Sequence, residues 1–350
     1  MNSFDEIKKF LREYDGPKVR LMEVCGTHTA SIASNGIPSM LSDNIRLISG
    51  PGCPVCVTVT AYIDKLVELA MNPDNTIVSF GDLLRVRGSA KSLSDAKAEG
   101  ADVRMVYSPS QILDMAAEDK NRTYIFAAVG FETTAPVYAL LLEEAERRNI
   151  SNVKLLTSLK TMPEVIRWVI GSRTDETPID GFLAPGHVCA VMGADMFRDI
   201  AAESSIPFVV SGFEGPQILA SIYELVKLRG KGVVENLYQT VVTPKGNVKA
   251  QKMMDRYFEP CDASWRGMGK ITGSGLILRA QYSSRDAGSD GLDVDAAGNG
   301  CRCASVLTGA ISPTGCPLFG KTCTPRDPHG ACMVSQEGSC YNWFISGRTR

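Results

Sequence analysis

From about residue 18 to residue 230, the sequence alternates short apolar, β-rich runs with helical patterns. This alternation is typical of parallel strands that are joined by crossover helices. The runs predicted to be strands cover residues 19–24, 45–49, 76–80, 103–107, 124–129, 153–157, 181–184 and 207–211. They fall into two groups on either side of polar residues near 118–123, so we expect two α/β layers, each with a parallel sheet. A single large sheet is the alternative.

Helical stripes lie between the predicted strands. One stripe has apolar residues at positions i, i+3, i+4 and i+7, namely Ile63, Leu66, Val67 and Ala70. Helices over 111–117 and 137–148 are each preceded by a Ser or Thr and a proline, which favour the first turn of a helix. These helices would cover the predicted sheets.

The length of 350 residues exceeds what one hydrophobic core usually serves. We therefore expect an α/β domain over 1–118, a second over 119–235 and a cysteine-rich domain over 236–350. Within the last, the glycine- and aspartate-rich segment 286–300 is predicted to be a mobile connector. Residues 301–350 have too few apolar side chains for a core of their own, which indicates organisation by an inorganic centre.

Net charge and hydropathy exclude some functions. The formal charge is -2, so there is no global positive field to hold a nucleic-acid backbone. Because we find neither a leader sequence nor about 18 consecutive apolar residues, we expect a cytosolic protein. Eleven cysteines in such a protein favour metal binding or redox chemistry over structural disulfides. Two isolated ones, Cys189 and Cys261, are predicted to be buried and without a chemical role.

Four segments rich in glycine or proline come directly after predicted strands, at 50–56, 130–136, 184–188 and 211–215. Ligands bind beyond the carboxyl ends of the strands in open α/β sheets, so these loops are predicted to converge on one cleft. The alternative is that the glycines and prolines only form tight turns.

Two predicted strand ends carry sulfur. Cys53 and Cys56 form a C-x-x-C motif at the start of a predicted helix, where the helix dipole would lower a thiol pKa. This favours disulfide exchange or metal binding, and half of a zinc site is the alternative. Cys25 and His28 end the first predicted strand. Together the four side chains offer soft sulfur and imidazole ligands for iron or zinc.

Six further cysteines lie within the last fifty residues: Cys301, Cys303, Cys316, Cys323, Cys332 and Cys340. A cubane iron-sulfur cluster needs four thiolates, so two would remain and could form a disulfide beside it. Spacing alone does not choose the four. A zinc site with four cysteine ligands is the structural alternative.

Taken together, these motifs resemble the HypD family of hydrogenase maturation proteins. The likeness rests on Glu23-Val-Cys25-Gly-Thr-His28-Thr, Gly50-Pro-Gly-Cys53-Pro-Val-Cys56, Gly130-Phe-Glu-Thr-Thr134, Pro185-Gly-His187-Val, Cys316-Pro-Leu-Phe-Gly-Lys-Thr-Cys323-Thr-Pro and Cys332-Met-Val-Ser-Gln-Glu-Gly-Ser-Cys340. The motifs occur in order from about residue 20 to residue 343.

The resemblance implies a maturation scaffold with redox activity rather than a conventional turnover enzyme. On it, an iron ion acquires two cyanides and one carbon monoxide for [NiFe] hydrogenase, together with the small partner HypC and with cyanide from HypE and HypF. By this analogy Cys25 binds the iron with His28 nearby, and Cys53 and Cys56 form the thiol/disulfide pair of a thioredoxin-like domain.

The same resemblance implies a C-terminal domain similar to the cluster site of ferredoxin-thioredoxin reductase. It assigns a [4Fe-4S] cluster to Cys301, Cys316, Cys323 and Cys340, and it pairs Cys303 with Cys332. The two thiol pairs would then form an electron route from an external donor to the iron.

Four polar residues in the strand-end loops have no assigned role: Glu132, Thr133, Thr134 and His187. They could bind the diatomic ligands or tune the iron-binding thiolates, or a threonine could only cap the next helix. Two other classes of function remain as alternatives to the scaffold. One is an iron-sulfur thiol-disulfide reductase without iron assembly, and the other is a zinc-stabilised interaction module.

Overall fold

A computed structural model describes residues 3–174, 176–296 and 300–347. The strands of this part of the chain are β1 (Val19–Glu23), β2 (Ile45–Ser49), β3 (Asn75–Ser79), β4 (Val103–Met105), β5 (Thr123–Gly130), β6 (Val153–Lys160), β7 (Gly181–Pro185), β8 (Phe208–Ser211), β9 (Val234–Asn236), β10 (Phe258–Trp265) and β11 (Gly269–Leu278).

The helices of the same ranges are α1 (Phe4–Glu13), α2 (Gly26–Ser34), α3 (Thr60–Ala70), α4 (Gly81–Leu84), α5 (Leu93–Ala98), α6 (Gln111–Glu118), α7 (Ala135–Arg147), α8 (Met162–Gly171), α9 (Gly186–Met192), α10 (Arg198–Ser204), α11 (Gly215–Lys227), α12 (Val248–Tyr257), α13 (Cys303–Leu307), α14 (Ala331–Val334) and α15 (Ser339–Ile345). Short 3-10 helices cover Ile37–Met40, Ala194–Phe197, Ala280–Arg285 and Pro313–Gly315. None of the described helices is both long and apolar enough to cross a membrane.

The strands form two sheets, as expected, and the single-sheet alternative is wrong. The first sheet has the order β2-β1-β7-β8-β9 and is parallel throughout. The second has the order β10-β11-β6-β5-β3-β4 and is parallel from β6 to β4. Seven of the eight residues of its central strand β5 are buried, typical of a parallel strand covered on both faces. All eight predicted strands are confirmed within one to three residues.

Three strands were not predicted. Strand β9 has only three residues, and β10 and β11 form an antiparallel hairpin beyond residue 235. The hairpin joins the second sheet through a short pairing of β11 with β6. Its sequence, with Pro260, Gly273 and Gly275, lacks the β-branched alternation that identifies strands from sequence.

The two sheets interleave along the chain, which differs from the sequential division at residues 118 and 235. The first sheet combines β1 and β2 with β7 to β9, whereas the second combines β3 to β6 with the later hairpin. Local patterns identify strands, but the choice of neighbour depends on which apolar faces meet after folding. The segment 1–118 is therefore shared between the sheets rather than forming one of them.

The cysteine-rich segment packs against the rest of the molecule and has no separate core. Val306, Leu307 and Met333 belong to the same apolar cluster as Met22 and Ile48 of the first sheet. Two arginines bind the end of α13. Arg20 Nη2 donates to the Gly309 carbonyl at 2.9 Å, and Arg173 Nη2 donates to the Thr308 carbonyl at 2.7 Å. The expectation of too few apolar residues for a separate core is confirmed.

The segment expected to be a mobile connector is hydrogen-bonded to the second sheet and to α3 over residues 286–296. Asp293 accepts from Ser264 Oγ at 2.8 Å and pairs with Lys270 at 2.9 Å. Asp295 accepts from the N–H groups of Thr60 and Gly267. The aspartates that suggested a solvated linker thus serve as hydrogen-bond acceptors. Residues 297–299 of the predicted connector lie outside the described residues.

Candidate metal and thiol site

The loops after β1 and β2 are in direct backbone contact. The Gly26 N–H donates to the Gly52 carbonyl at 2.9 Å, and the Gly50 N–H donates to the Glu23 carbonyl at 2.7 Å. A Cβ added at Gly52 would lie 2.2 Å from the Cys25 backbone nitrogen. Only glycine at position 52 allows this approach. The fold therefore places the Cys25 loop beside the C-x-x-C loop, as expected.

Cys25 occupies the N-cap position of α2, a helix that the sequence did not predict, and makes no side-chain capping bond. Its thiol is buried, and the backbone N–H groups of His28 and Thr27 favour the thiolate form. Burial raises the pKa of Cys25 to about 12 despite these donors. The group is therefore a neutral thiol until a cation displaces its proton, and the N–H groups are then ready to stabilise the thiolate.

Two carboxylates flank Cys25. Glu23 accepts from the Cys25 N–H at 3.0 Å and from Thr29 Oγ1 at 2.6 Å, and burial raises the pKa of Glu23 to about 7. Glu337, from the cysteine-rich segment, accepts from Thr27 Oγ1 at 3.2 Å. Its Cβ lies 2.4 Å from where a Cβ on Gly26 would be. The C-terminal segment thus supplies part of the wall around Cys25, which the sequence analysis did not foresee.

His28 has the geometry of a histidine that can bind a metal. Its Nε2 donates to the Gly212 carbonyl at 3.0 Å, which leaves the lone pair on Nδ1. Nδ1 is buried and has no hydrogen-bond partner among the described residues. Burial lowers the pKa of His28 to about 4, so the ring is neutral near pH 7. Metal-binding histidines typically donate their other N–H to a carbonyl in this way.

His187, in the first turn of α9 after β7, contacts the same aromatic ring as His28. Phe213 lies 3.9 Å from the His187 ring and 4.7 Å from the His28 ring, between ring centroids. His187 is exposed, and desolvation lowers its pKa. Two of the four segments predicted to converge, 184–188 and 211–215, therefore meet, and the segment after β1 joins them.

Cys53 and Cys56 form a disulfide. The Cys56 N–H donates to Cys53 Sγ at 3.2 Å. The motif lies in a turn over residues 54–57, and α3 begins only at Thr60, so the expectation of a C-x-x-C at a helix start is wrong. The β-branched run after Cys56 disfavours an earlier helix start.

Glu132 follows β5 of the second sheet, and Cys189 lies on α9 in the same region of the molecule. Glu132 Oε1 accepts from the Met162 N–H at 2.8 Å, while Oε2 is buried and unpaired among the described residues. Burial raises the pKa of Glu132 to about 7. Burial raises the pKa of the Cys189 thiol, and negative charge on Glu132 and Cys25 raises it further. Cys189 is buried as predicted, but its proximity to Cys25 was not foreseen. Thr134 precedes α7 and makes no side-chain capping bond.

The six C-terminal cysteines line one small cavity. The sulfurs of Cys303 and Cys332 lie 2.7 Å apart as free thiols, and the disulfide pairing that the resemblance implied stays a prediction. The other four line the same cavity: Cys301, Cys316, Cys323 and Cys340. Cys323 Sγ also accepts the His329 N–H at 3.3 Å, a contact that stabilises a thiolate.

The chemistry of these side chains fits an iron-sulfur cluster. A cubane binds each of four thiolates to its own iron, and four cysteines besides Cys303 and Cys332 line the cavity. Among the described residues, no group of three or more His, Cys, Asp or Glu side chains is arranged to hold one metal ion. Whether the thiols hold a cluster or a zinc ion stays a prediction.

Comparison with known proteins agrees with these features. Residues 2–347 match the HypD family model, described as "Hydrogenase formation hypA family". The chain is 39% identical to the hydrogenase maturation factor HypD of Azotobacter vinelandii over 345 residues, which covers 95% of this chain and 90% of that protein. It is 41% identical to HypD of Escherichia coli (strain K12) over 334 residues, with coverage of 93% and 88%. A putative hydrogenase expression/formation protein of Methanocaldococcus jannaschii is 38% identical over 344 residues, with coverage of 97% and 94%. The chain therefore belongs to the HypD family of hydrogenase formation and maturation proteins.

Proposed function

We propose that this chain is the scaffold on which an iron ion acquires its cyanide and carbon monoxide ligands during hydrogenase maturation. Membership of the HypD family supports a role in hydrogenase maturation. The observation that carries the proposal is the pairing of a buried Cys25 thiol at a helix N-terminus with an unpartnered, buried His28 Nδ1.

Iron is the cargo of this site. Cys25 would bind it as a thiolate, because the N–H groups of α2 stabilise negative charge on the sulfur. His28 would approach through Nδ1, since Nε2 is held by the Gly212 carbonyl. Soft thiolate and neutral imidazole suit low-spin ferrous iron with strong-field ligands.

Two thiol pairs would supply electrons to this site. Cys303/Cys332 and Cys53/Cys56 belong to one apolar cluster, which keeps water away from the route between them. A [4Fe-4S] cluster held by the four remaining cysteines would supply single electrons when bound. The paired thiols would convert these into two-electron thiol chemistry, with Cys53/Cys56 as the terminal pair.

The partners of the scaffold would be a HypC-type small protein, HypE with HypF as the source of cyanide, and indirectly the hydrogenase large subunit. A cavity of about 400 Å³ supports the approach of a partner, because Glu23 and Thr29 beside Cys25 form part of its wall. Strand β2 and residues of the cysteine-rich segment line the rest. The cytosolic location stays a prediction.

The decisive experiment is infrared spectroscopy of the anaerobic protein purified together with its small partner. Metal-bound cyanide and carbon monoxide absorb where polypeptide does not, so bands of both ligands are expected. Competent anaerobic material without these bands would refute iron assembly. The disulfide of Cys53 and Cys56 would then favour the alternative function, an iron-sulfur protein thiol-disulfide reductase.

Cys25→Ala separates the two functions. It should remove the infrared bands, because the thiolate ligand is lost, while the visible absorption of the cluster stays unchanged. Reductase activity would need Cys53 and Cys56 but not Cys25. Cys261→Ala is the matched control, since this half-buried thiol lies on β10 and is not in the site. Retention of the bands in Cys25→Ala would contradict the proposed iron site.

A further inference from the structure

The turn between β10 and β11, residues 266–268, lies against the C-x-x-C loop. The Arg266 N–H donates to the Val57 carbonyl at 2.9 Å, and Arg266 Nε donates to the Thr58 carbonyl at 2.6 Å. Val57 is the residue directly after Cys56. Arg266 thus donates hydrogen bonds to two successive backbone carbonyls next to the Cys53–Cys56 disulfide.

The same turn contacts the helix that carries Cys303. A Cβ added at Gly267 would lie 2.3 Å from the Cβ of Ala304, the second residue of α13. Gly267 also has φ +70°, a backbone conformation that favours glycine. The turn therefore contacts the C-x-x-C loop and the residue next to Cys303.

The turn is held firmly in this position. Asp295 accepts from the Gly267 N–H at 2.8 Å and from the Thr60 N–H at 3.3 Å. The fully buried Trp265 donates from Nε1 to Ser274 Oγ at 2.8 Å and stacks on Phe131. These bonds limit movement of the turn relative to both thiol pairs.

We propose that the turn 266–268 couples the two thiol pairs, with Arg266 as a positioning residue. The turn fixes the position of the Cys53–Cys56 loop relative to α13, so that electrons can pass from the Cys303/Cys332 pair to the Cys53–Cys56 disulfide. In this transfer, Cys303 and Cys332 lose two electrons and two protons and form a disulfide. The Cys53–Cys56 disulfide bond breaks, and its two sulfurs take up these two electrons and two protons. The inference rests on the electron route of the proposed function and assigns it a residue outside every cysteine motif.

The test measures the appearance of Cys53 and Cys56 thiols with time. Anaerobic, cluster-loaded protein is reduced with dithionite, quenched and alkylated, and the labelled peptides are quantified by mass spectrometry. A Cys303→Ser variant gives the rate of direct reduction by dithionite, which is subtracted. Cluster absorption and the melting temperature of each variant are measured in parallel.

Arg266→Gln should slow the transfer at least about tenfold, because the bond from Nε to the Thr58 carbonyl is lost and small misplacements of reacting groups are costly. Arg266→Lys keeps the charge but loses the bond from Nε, so a slowing of roughly threefold is expected. Lys270→Gln is the matched control. It removes from the same hairpin a cation that pairs with Asp293, and its transfer rate should equal that of the wild type.

Transfer at the wild-type rate in Arg266→Lys would overturn the positioning role, even if Arg266→Gln does not fold. A slowing that Lys270→Gln shares would also overturn it, because any loss of a cation from the hairpin would then suffice. If the wild-type protein shows no transfer above the Cys303→Ser background, the electron route of the proposed function fails instead.

Discussion

Four buried side-chain polar atoms have no hydrogen-bond partner among the described residues, namely Arg20 Nε, His28 Nδ1, Arg122 Nε and Glu132 Oε2. Leaving such a group unpaired typically costs about 1–3 kcal/mol of folding free energy. Native proteins keep few of them, and each needs an explanation. For His28, a metal ion would satisfy the free lone pair. At the residue scale, His28 Nδ1 is the unpaired atom that belongs to the candidate metal site.

Glu132 gives a prediction for pH dependence. Burial raises its pKa from 4.5 to about 7 in the folded protein, so the folded state retains a proton that the unfolded state loses between these values. The free energy of unfolding should therefore fall as pH rises through this window, by at most about 3 kcal/mol from this group. In Glu132→Gln, whose amide oxygen still accepts from Met162 N–H, this contribution should disappear.

Anaerobic urea unfolding at pH 5 and pH 8 measures the effect. The difference between the two pH values should be smaller in Glu132→Gln than in the wild type. Glu164→Gln, which removes a partly exposed carboxylate from α8, should behave like the wild type. An unchanged pH dependence in Glu132→Gln would show that the Glu132 carboxyl group of the wild type has the same pKa in the folded and the unfolded protein.

At the scale of elements, the helices of the cysteine-rich segment are too short to be stable alone. Helices α13, α14 and α15 have five, four and seven residues, and each contains one of the six cysteines. Isolated helices of this length are marginal in water. Their positions depend on packing, on the arginines that bind the end of α13 and on what the cysteines hold.

The two groups of C-terminal cysteines should respond differently to mutation. If Cys303 and Cys332 form a pair separate from the cluster ligands, as proposed, Cys303→Ala or Cys332→Ala should keep the brown cluster and stop maturation. Cys316→Ala or Cys340→Ala should lose the cluster absorption, because each removes a ligand. Visible absorption, iron and sulfide analysis of anaerobic protein check both outcomes. Loss of the cluster from Cys303→Ala would count against the assignment.

At the scale of the whole molecule, the proposed iron site is assembled from distant parts of the sequence. Cys25 comes from the loop after β1, Gly212 from the loop after β8, and Glu337 from the C-terminal segment. The interleaved sheets bring these parts together, because β1 pairs with β7 about 160 residues away. The cysteine-rich segment contacts the first sheet directly. A structural change in this segment can therefore be transmitted to the proposed iron site through protein contacts.

Removal of the cluster should loosen the C-terminal segment first. Hydrogen exchange of the amides in residues 300–347 should become at least about tenfold faster after chelation of iron, since this segment has no separate core and its helices are short. The amides of β1 and β5 should keep their protection, because both strands are central in the sheets. Equal exchange of the segment with and without the cluster would contradict an organising role for it.

The sequence identified the local elements and most site residues. Strands such as β5 are continuous apolar runs, which require no long-range information to recognise. The motifs around Cys25, Cys53 and the six C-terminal cysteines stood out because sulfur and imidazole are rare and chemically specific. The missed features, among them helix α2 and the β10–β11 hairpin, have weak local patterns that tertiary packing overrides.

The tertiary structure decided which of these elements are neighbours. It alone paired β1 with β7, placed Glu337 beside Gly26, and put Arg266 next to both the C-x-x-C loop and α13. The physical reason is that side-chain periodicity acts over a few residues, within one strand or helix. The choice of partner is set by apolar faces and hydrogen bonds that meet only when the whole chain is compact.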